Sequence, residues 1–183
     1  MELGKLRNWV LDNFKSKIVV MFDDDIDCLW SNTRFIGFAI RDAKTIDDIL
    51  LNTAQCCADA GCHFFGFSQN WDVRKYQANK PFILNSWVGG VVGIVESKIR
   101  FNEHNGFRVD IDYSLRNLLK HRIIWRDERF SFRQKRLYNK GGLSQYRTAE
   151  RDKSDVEYIK NTWGKYVKIT QGKYLKIKVA VER

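Results

Sequence analysis

One short segment constrains the chain most: the apolar run Ile18-Val-Val-Met-Phe22, followed at once by Asp23, Asp24 and Asp25. Five consecutive apolar residues, preceded by Lys17, predict a strand over Lys17–Phe22 buried on both faces, the pattern of a central strand in a mostly parallel sheet. Three adjacent carboxylates repel one another unless a cation or basic groups offset them. Alternate residues of an extended chain point to opposite faces, so Asp23 and Asp25 are expected to project together and Asp24 away. Two carboxylates on one side of a strand end suit Mg²⁺ or Mn²⁺, which take oxygen ligands and bridge to substrate phosphates.

The rest of the chain reads as strands alternating with helices, which predicts an α/β fold. Leu3, Leu6, Val10 and Phe14 recur at helical spacing over Leu3–Phe14. Arg34–Ile40 and Cys62–Phe67 read as strands. A helix is expected between them, capped by Thr45, with Asp47 and Asp48 in its first turn, running to about Ala60 and stopping at Gly61. Lys80–Val95 reads as strand, turn, strand, with Gly89 and Gly90 allowing a tight bend or close approach of backbone to a ligand. Asp112–Lys120 and Ser154–Trp163 read as helices. Tyr166–Thr170 and Lys173–Val181 flank Gln171-Gly172 as a C-terminal β-hairpin. Ligands bind such sheets at the carboxyl ends of the strands, where the aspartate cluster falls.

Composition sets the class. With 183 residues, 44% of them hydrophobic, one proline and 12 glycines, the chain is expected to be a single soluble domain over 1–183 without long linkers. No apolar run reaches the roughly 18 residues of a membrane span, and Met-Glu-Leu-Gly-Lys has no signal-peptide pattern. A cytoplasmic protein, in host cytoplasm if viral, is the expectation. Cys28, Cys56, Cys57 and Cys62 fit no zinc spacing, and Cys56 and Cys57, in the expected helix, read as small buried hydrophobes. His63, His104 and His121 are isolated in sequence. His104, near Asp110, is the best placed as an extra metal ligand.

The net charge of +10 is unevenly spread. Residues 1–100 carry 12 basic and 12 acidic side chains; residues 101–183 carry 20 and 10. The excess is densest from Arg122 to Lys153, which divides the domain into a core (1–121) and a basic C-terminal segment with its hairpin (122–183). Arg126, Arg129, Arg133, Lys135, Arg136, Lys140 and Arg147 are candidate contacts to nucleic acid or to a nucleotide diphosphate. Trp125, Phe130, Phe132 and Tyr138 lie among them and could stack on bases or simply fill core. A second acidic pair, Asp110 and Asp112, stands at a helix entrance. Asp112 could be an N-cap, and either could serve as a general base if it reaches a nucleophile.

Gly4-Lys-Leu-Arg7-Asn8 opening a helix, then Ile18–Phe22 and Asp23-Asp-Asp25, resembles the middle of a GT-A glycosyltransferase, with its Arg-Asn helix and its hydrophobic strand ending in Asp-X-Asp. The stretch at Gly89 and Gly90 resembles that family's donor-sugar and acceptor wall. Val109-Asp110-Ile-Asp112-Tyr-Ser-Leu115-Arg116 resembles its Glu-Asp-X-Asp-Leu-X-Leu-Arg segment, whose first Asp is the base in inverting members. Tyr138–Gly142 and Trp163-Gly164 resemble the phage-type glycosyltransferases that decorate modified bases in DNA. The resemblance implies a mixed, mostly parallel GT-A-like sheet flanked by helices. It also implies transfer of a hexosyl group from a nucleotide-diphosphate sugar to an acceptor hydroxyl, with Mn²⁺ or Mg²⁺ on Asp23 and Asp25. Arg7, Asn8, Asp23, Asp24, Gly89 and Gly90 would line the donor, and Asp110 and Asp112 would be catalytic. A full GT-A domain opens with a βαβ segment that holds the nucleotide base. This chain opens at the Arg-Asn helix, so a second copy or partner chain is expected to complete the donor site. Two other readings stay open: a nuclease with two metals on Asp23, Asp25, Asp110 and Asp112, and a non-catalytic binder of nucleic acid or protein.

Overall fold

The computed structural model describes residues 3–33, 36–103, 108–134, 148–170 and 176–182. In chain order the elements are α1 (Leu3–Asn13), β1 (Ile18–Phe22), β2 (Ile26–Ser31), β3 (Phe38–Ile40), α2 (Ala43–Asp59), β4 (Phe64–Phe67), β5 (Phe82–Ile83), β6 (Val91–Val95), α3 (Val109–His121), β7 (Trp125–Asp127), β8 (Phe130–Gln134), α4 (Ala149–Trp163), β9 (Val167–Thr170) and β10 (Lys176–Val179). The expected mixture of helices and strands is present, with some parallel pairing. No helix among the described residues is long and apolar enough to cross a membrane.

The main sheet runs β1-β6-β4-β7-β5. β4 and β6 sit inside it and are buried throughout. Their side chains alternate between two cores. On one face Phe64, Val92 and Ile94 meet α3, α4 and the C-terminal strands through Tyr113, Leu115, Leu118, Ile159 and Ile177. On the other, Phe65, Phe67, Val91 and Val95 meet α2 through Leu50, Ala54 and Cys57. The sheet is thus a middle layer between helices. Burying apolar area on both faces, at roughly 25 cal/mol per Å², is what holds it there.

Two expectations are corrected. The pairing is mostly antiparallel: among the described residues only β4 and β7 run parallel, while β1–β6, β4–β6 and β5–β7 are antiparallel. β1 is an edge strand, and none of its five residues is buried. After the aspartates the chain leaves this sheet and turns at once into β2, which the sequence did not signal and which pairs with β3 and β8 in a second, three-stranded sheet. Apolar content alone cannot distinguish a doubly covered strand from one whose neighbour is on one side only.

Helix starts also shift. Asp42, not Thr45, caps α2: its carboxylate accepts from the Thr45 backbone N–H at 2.8 Å and the Thr45 hydroxyl at 2.6 Å. α3 begins at Val109, so Asp110 and Asp112 both lie in its first turn and Asp112 is not its N-cap. α2 ends as expected, with Gly61 at φ 71° after the last turn. β9 and β10 pair antiparallel; Gln171 and Gly172 between them lie outside the described residues.

Candidate functional site

The site grows from the inward face of α1. Gly4 lets the helix press against the backbone of Asn102, where a side chain would collide. Asn8, one turn on, holds the same segment. Its amide donates to the Phe101 carbonyl and the Glu103 carboxylate, both at 3.0 Å, and accepts from the Phe101 N–H at 2.8 Å. Asn8 is therefore fully engaged in fixing α1, and what it fixes is Arg7.

Arg7 is 4% exposed. Its guanidinium lies 5.3 Å from the centre of the Phe101 ring and bonds two carboxylates from distant parts of the chain. One Nη donates to Asp23 at 3.0 Å; the other makes a short ion pair with Asp110. Burial alone would lower the Arg7 pKa, but the Asp110 and Asp23 charges outweigh it and hold it above its ordinary value. A planar fork with fixed donors suits this bridging role.

Asp23 closes β1. Its backbone N–H donates to the Gly90 carbonyl at 2.9 Å, and its second oxygen accepts from the Gln134 amide at 3.2 Å. Burial, then the charge of Asp110, push its pKa up to about 6; Arg7 opposes the rise and Asp25 adds to it. Asp24 is exposed in the turn. One Asp25 oxygen is buried with no hydrogen-bond partner among the described residues.

The glycine wall meets the same point. Gly90 has φ 76°, a conformation that favours glycine. A Cβ on Gly89 would stand 2.7 Å from an Asp110 carboxylate oxygen, so only glycine lets this backbone lie against that side chain. Ser114 fixes α3 to the wall by donating to the Asp110 carbonyl at 2.7 Å and accepting from the Val88 N–H at 3.2 Å. Gln69 donates to the Gly89 carbonyl at 2.8 Å. A shallow recess opens beside the wall, lined by Gln69, Trp71, Gly89, Gly90, Phe132 and Gln134.

The structure thus brings together Arg7, Asp23, Asp110, Gly89 and Gly90. Asp112 is not among them. It is fully buried on another side of α3, where it accepts from Arg116 at 2.7 Å and from the Trp163 indole at 3.0 Å. Gln69 and Gln134 escaped the sequence reading because single glutamines carry no local signal. Trp71 had one, since it follows β4 at a carboxyl strand end.

A divalent cation fits this donor set in a limited way. Asp25 offers an oxygen lacking a partner, and Asp23 is costly to keep ionised. Among the described residues no three His, Cys, Asp or Glu side chains cluster to cage an ion. Asp23 and Asp25 could hold Mg²⁺ or Mn²⁺ only with water and phosphate oxygens completing the shell. His104 lies outside the described residues.

The basic candidates separate by environment. Arg129 chelates the fully buried Asp127, with its closest nitrogen at 2.6 Å, and Arg126 binds Ser86 at 2.7 Å and Glu128. Both ion pairs are local to the β7–β8 turn, and the Ser86 bond ties that turn to the segment before the glycine wall. Arg133 has no carboxylate partner among the described residues; it lies 4.8 Å from the Trp30 ring and 6.0 Å from the Trp71 ring. Lys135, Arg136, Lys140 and Arg147 fall outside the described residues, as does Tyr138. Trp125, Phe130 and Phe132 pack in the α2-side core. All four cysteines are free thiols, and three are buried.

A scan against protein-family models and searches of curated proteins and of solved structures return no match.

Proposed function

We propose that the chain is a metal-dependent glycosyltransferase of the GT-A type, moving a sugar from a nucleotide diphosphate to an acceptor hydroxyl. The observation that carries this reading is the bridge from Arg7 to Asp23 and Asp110 against the backbone of Gly89 and Gly90. One buried cation positions a strand-end carboxylate and a helix-entrance carboxylate at one glycine wall. These two acids have different surroundings and so suit different tasks.

In this reading Asp23 and Asp25 face the donor diphosphate. A divalent cation there would supply charge to the leaving group. Arg7 holds Asp23 and Asp110 at fixed separation, and its own charge offsets part of their repulsion. Asp110 takes the acceptor proton; Gly89, lacking a side chain, lets the wall's backbone lie against that carboxylate and fix its position. The recess with Trp71 and Gln134, about 10 Å³ and so large enough for little more than a water molecule, borders the acceptor's position. Arg133, 4.8 Å from the Trp30 ring and 6.0 Å from the Trp71 ring, adds a positive charge near it, which favours an acceptor with phosphates such as nucleic acid carrying a hydroxylated base. The two-metal nuclease reading is weaker, because Asp112 is sequestered by Arg116 and Trp163.

The test incubates the chain with Mn²⁺, a panel of nucleotide-diphosphate sugars and hydroxymethylated DNA, and reads transfer by mass spectrometry. Asp110→Asn should abolish transfer and leave Mn²⁺-dependent nucleotide binding within about twofold, because a general base acts on the acceptor. Absence of any nucleotide-diphosphate binding, or transfer that survives Asp110→Asn, overturns the proposal.

A further inference from the structure

β1 has the composition of an interior strand and the position of an edge. Ile18–Phe22 contains no charge, proline or bulge, the usual devices that keep an edge from pairing. Its inner side is fully paired with β6. The Asp23 N–H bonds Gly90 and the Lys17 carbonyl accepts from Glu96. By antiparallel alternation Lys17, Val19, Met21 and Asp23 turn their backbone groups toward β6. Ile18, Val20 and Phe22 therefore present theirs outward, and no strand among the described residues pairs with them. Phe22 is 49% exposed, and Trp9 and Phe14, on the segment leading into the strand, are 57% and 59% exposed.

The flanks state which strand fits. The segment reads Lys15-Ser-Lys17, five apolar residues, Asp23-Asp24-Asp25. Read against its own reverse about Val20, it sets Lys17 opposite Asp23 and apolar residues opposite apolar residues, with Lys15 on the same side as the acidic turn at Asp24 and Asp25. The same register sets Val20 opposite Val20 and Ile18 opposite Phe22, so each outward-facing residue meets an outward-facing residue. A parallel partner copy would instead place lysine beside lysine and aspartate beside aspartate. Lys17 is available: its side chain is 88% exposed, and its nearest carboxylate, Glu96, is 3.8 Å away and itself exposed.

We propose that β1 is a dimerisation strand that pairs antiparallel with β1 of a second copy about Val20, joining two sheets into one and placing the partner's Lys17 beside Asp23. Directly opposed residues of such a pair stand about 4.5–5.5 Å apart, and Lys17 and Asp23 point to the same sheet face. The partner's ammonium thus reaches the carboxylate that Arg7 holds from within, and each acidic site is completed by a cation from the other chain. This pairing does not depend on what the site transfers.

Sedimentation of the full chain over a concentration series, with amide hydrogen exchange at Ile18–Phe22, tests it. The expected result is a dimer that dissociates on dilution, with the Ile18, Val20 and Phe22 amides slowed only in the dimer. Lys15→Glu/Lys17→Glu makes the cross-strand pairs repulsive and should weaken dimerisation at least about tenfold. Val20→Pro removes the central outward donor and should act likewise, with circular dichroism reporting whether it folds. A chain that is monomeric at every concentration overturns the proposal. So does a dimer that survives Lys15→Glu/Lys17→Glu with freely exchanging β1 amides.

Discussion

Asp23 links the candidate site to stability through pH. Its carboxyl is pushed from an ordinary 3.8 up to about 6, first by burial and then by Asp110. A raised carboxyl pKa means that the folded state holds its proton longer than the unfolded state does. Between about pH 4 and 6 the folded chain therefore binds more protons, and its stability must fall as pH rises through that window. At about 1.4 kcal/mol per pH unit the loss is at most about 3 kcal/mol. The Asp23 side chain is 28% exposed, and solvent screening brings the expected figure to roughly 1–2 kcal/mol. Asp23→Asn keeps an oxygen for Arg7 and removes the ionisation. Urea unfolding of both proteins at pH 4.5 and 7.5, at dilution where the chain is monomeric, isolates the contribution. The wild type should lose that 1–2 kcal/mol relative to the variant at the higher pH. Millimolar Mn²⁺ should restore it at pH 7.5 in the wild type and change neither protein at pH 4.5. A difference between the two proteins that is flat with pH, or that grows in the wild type's favour as pH rises, refutes the reasoning.

Other expectations concern the neighbours of this site. Gly89→Ala drives a methyl group into Asp110 and the Trp87 ring; it should cost about 1–3 kcal/mol in thermal unfolding and reduce sugar transfer by more than that loss explains. Asp127→Ala leaves Arg129 without its buried partner and should destabilise by about 3 kcal/mol, measured by urea unfolding. Arg133→Ala should lower the salt dependence of nucleic-acid binding by about one phosphate contact, whereas Arg126→Ala, already held by Ser86 and Glu128, should act mainly on stability.

Much of this was legible in the residues. The apolar run with its acidic end was a strand and a strand end because both are local properties of consecutive residues. α1 was visible in its 3.6-residue period, and the end of α2 in Gly61. Arg7, Asp23, Asp110 and the glycine pair were nameable as candidates, though they span more than 100 positions, because each has a distinctive local pattern. What stayed hidden was relational. Nothing near Asp112 marks that Trp163 and Arg116 would take both its oxygens. Nothing near Arg129 marks Asp127 as its buried anchor beyond a spacing shared by many surface pairs.

The sequence by itself determined the helices and part of the strands, β2, β7 and β8 excepted, where the acidic groups cluster and which half is basic, since propensity, periodicity and charge act between near neighbours. Only the tertiary structure decided that β1 lies at an edge with its outer amides unpaired among the described residues, that the sheet is mostly antiparallel, and that Arg7 joins Asp23 to Asp110. Strand order is set by which faces two cores can bury together. A buried arginine finds its carboxylates only when those cores have brought α1, β1 and α3 to one place, since burying it unpaired would cost more than the contact returns.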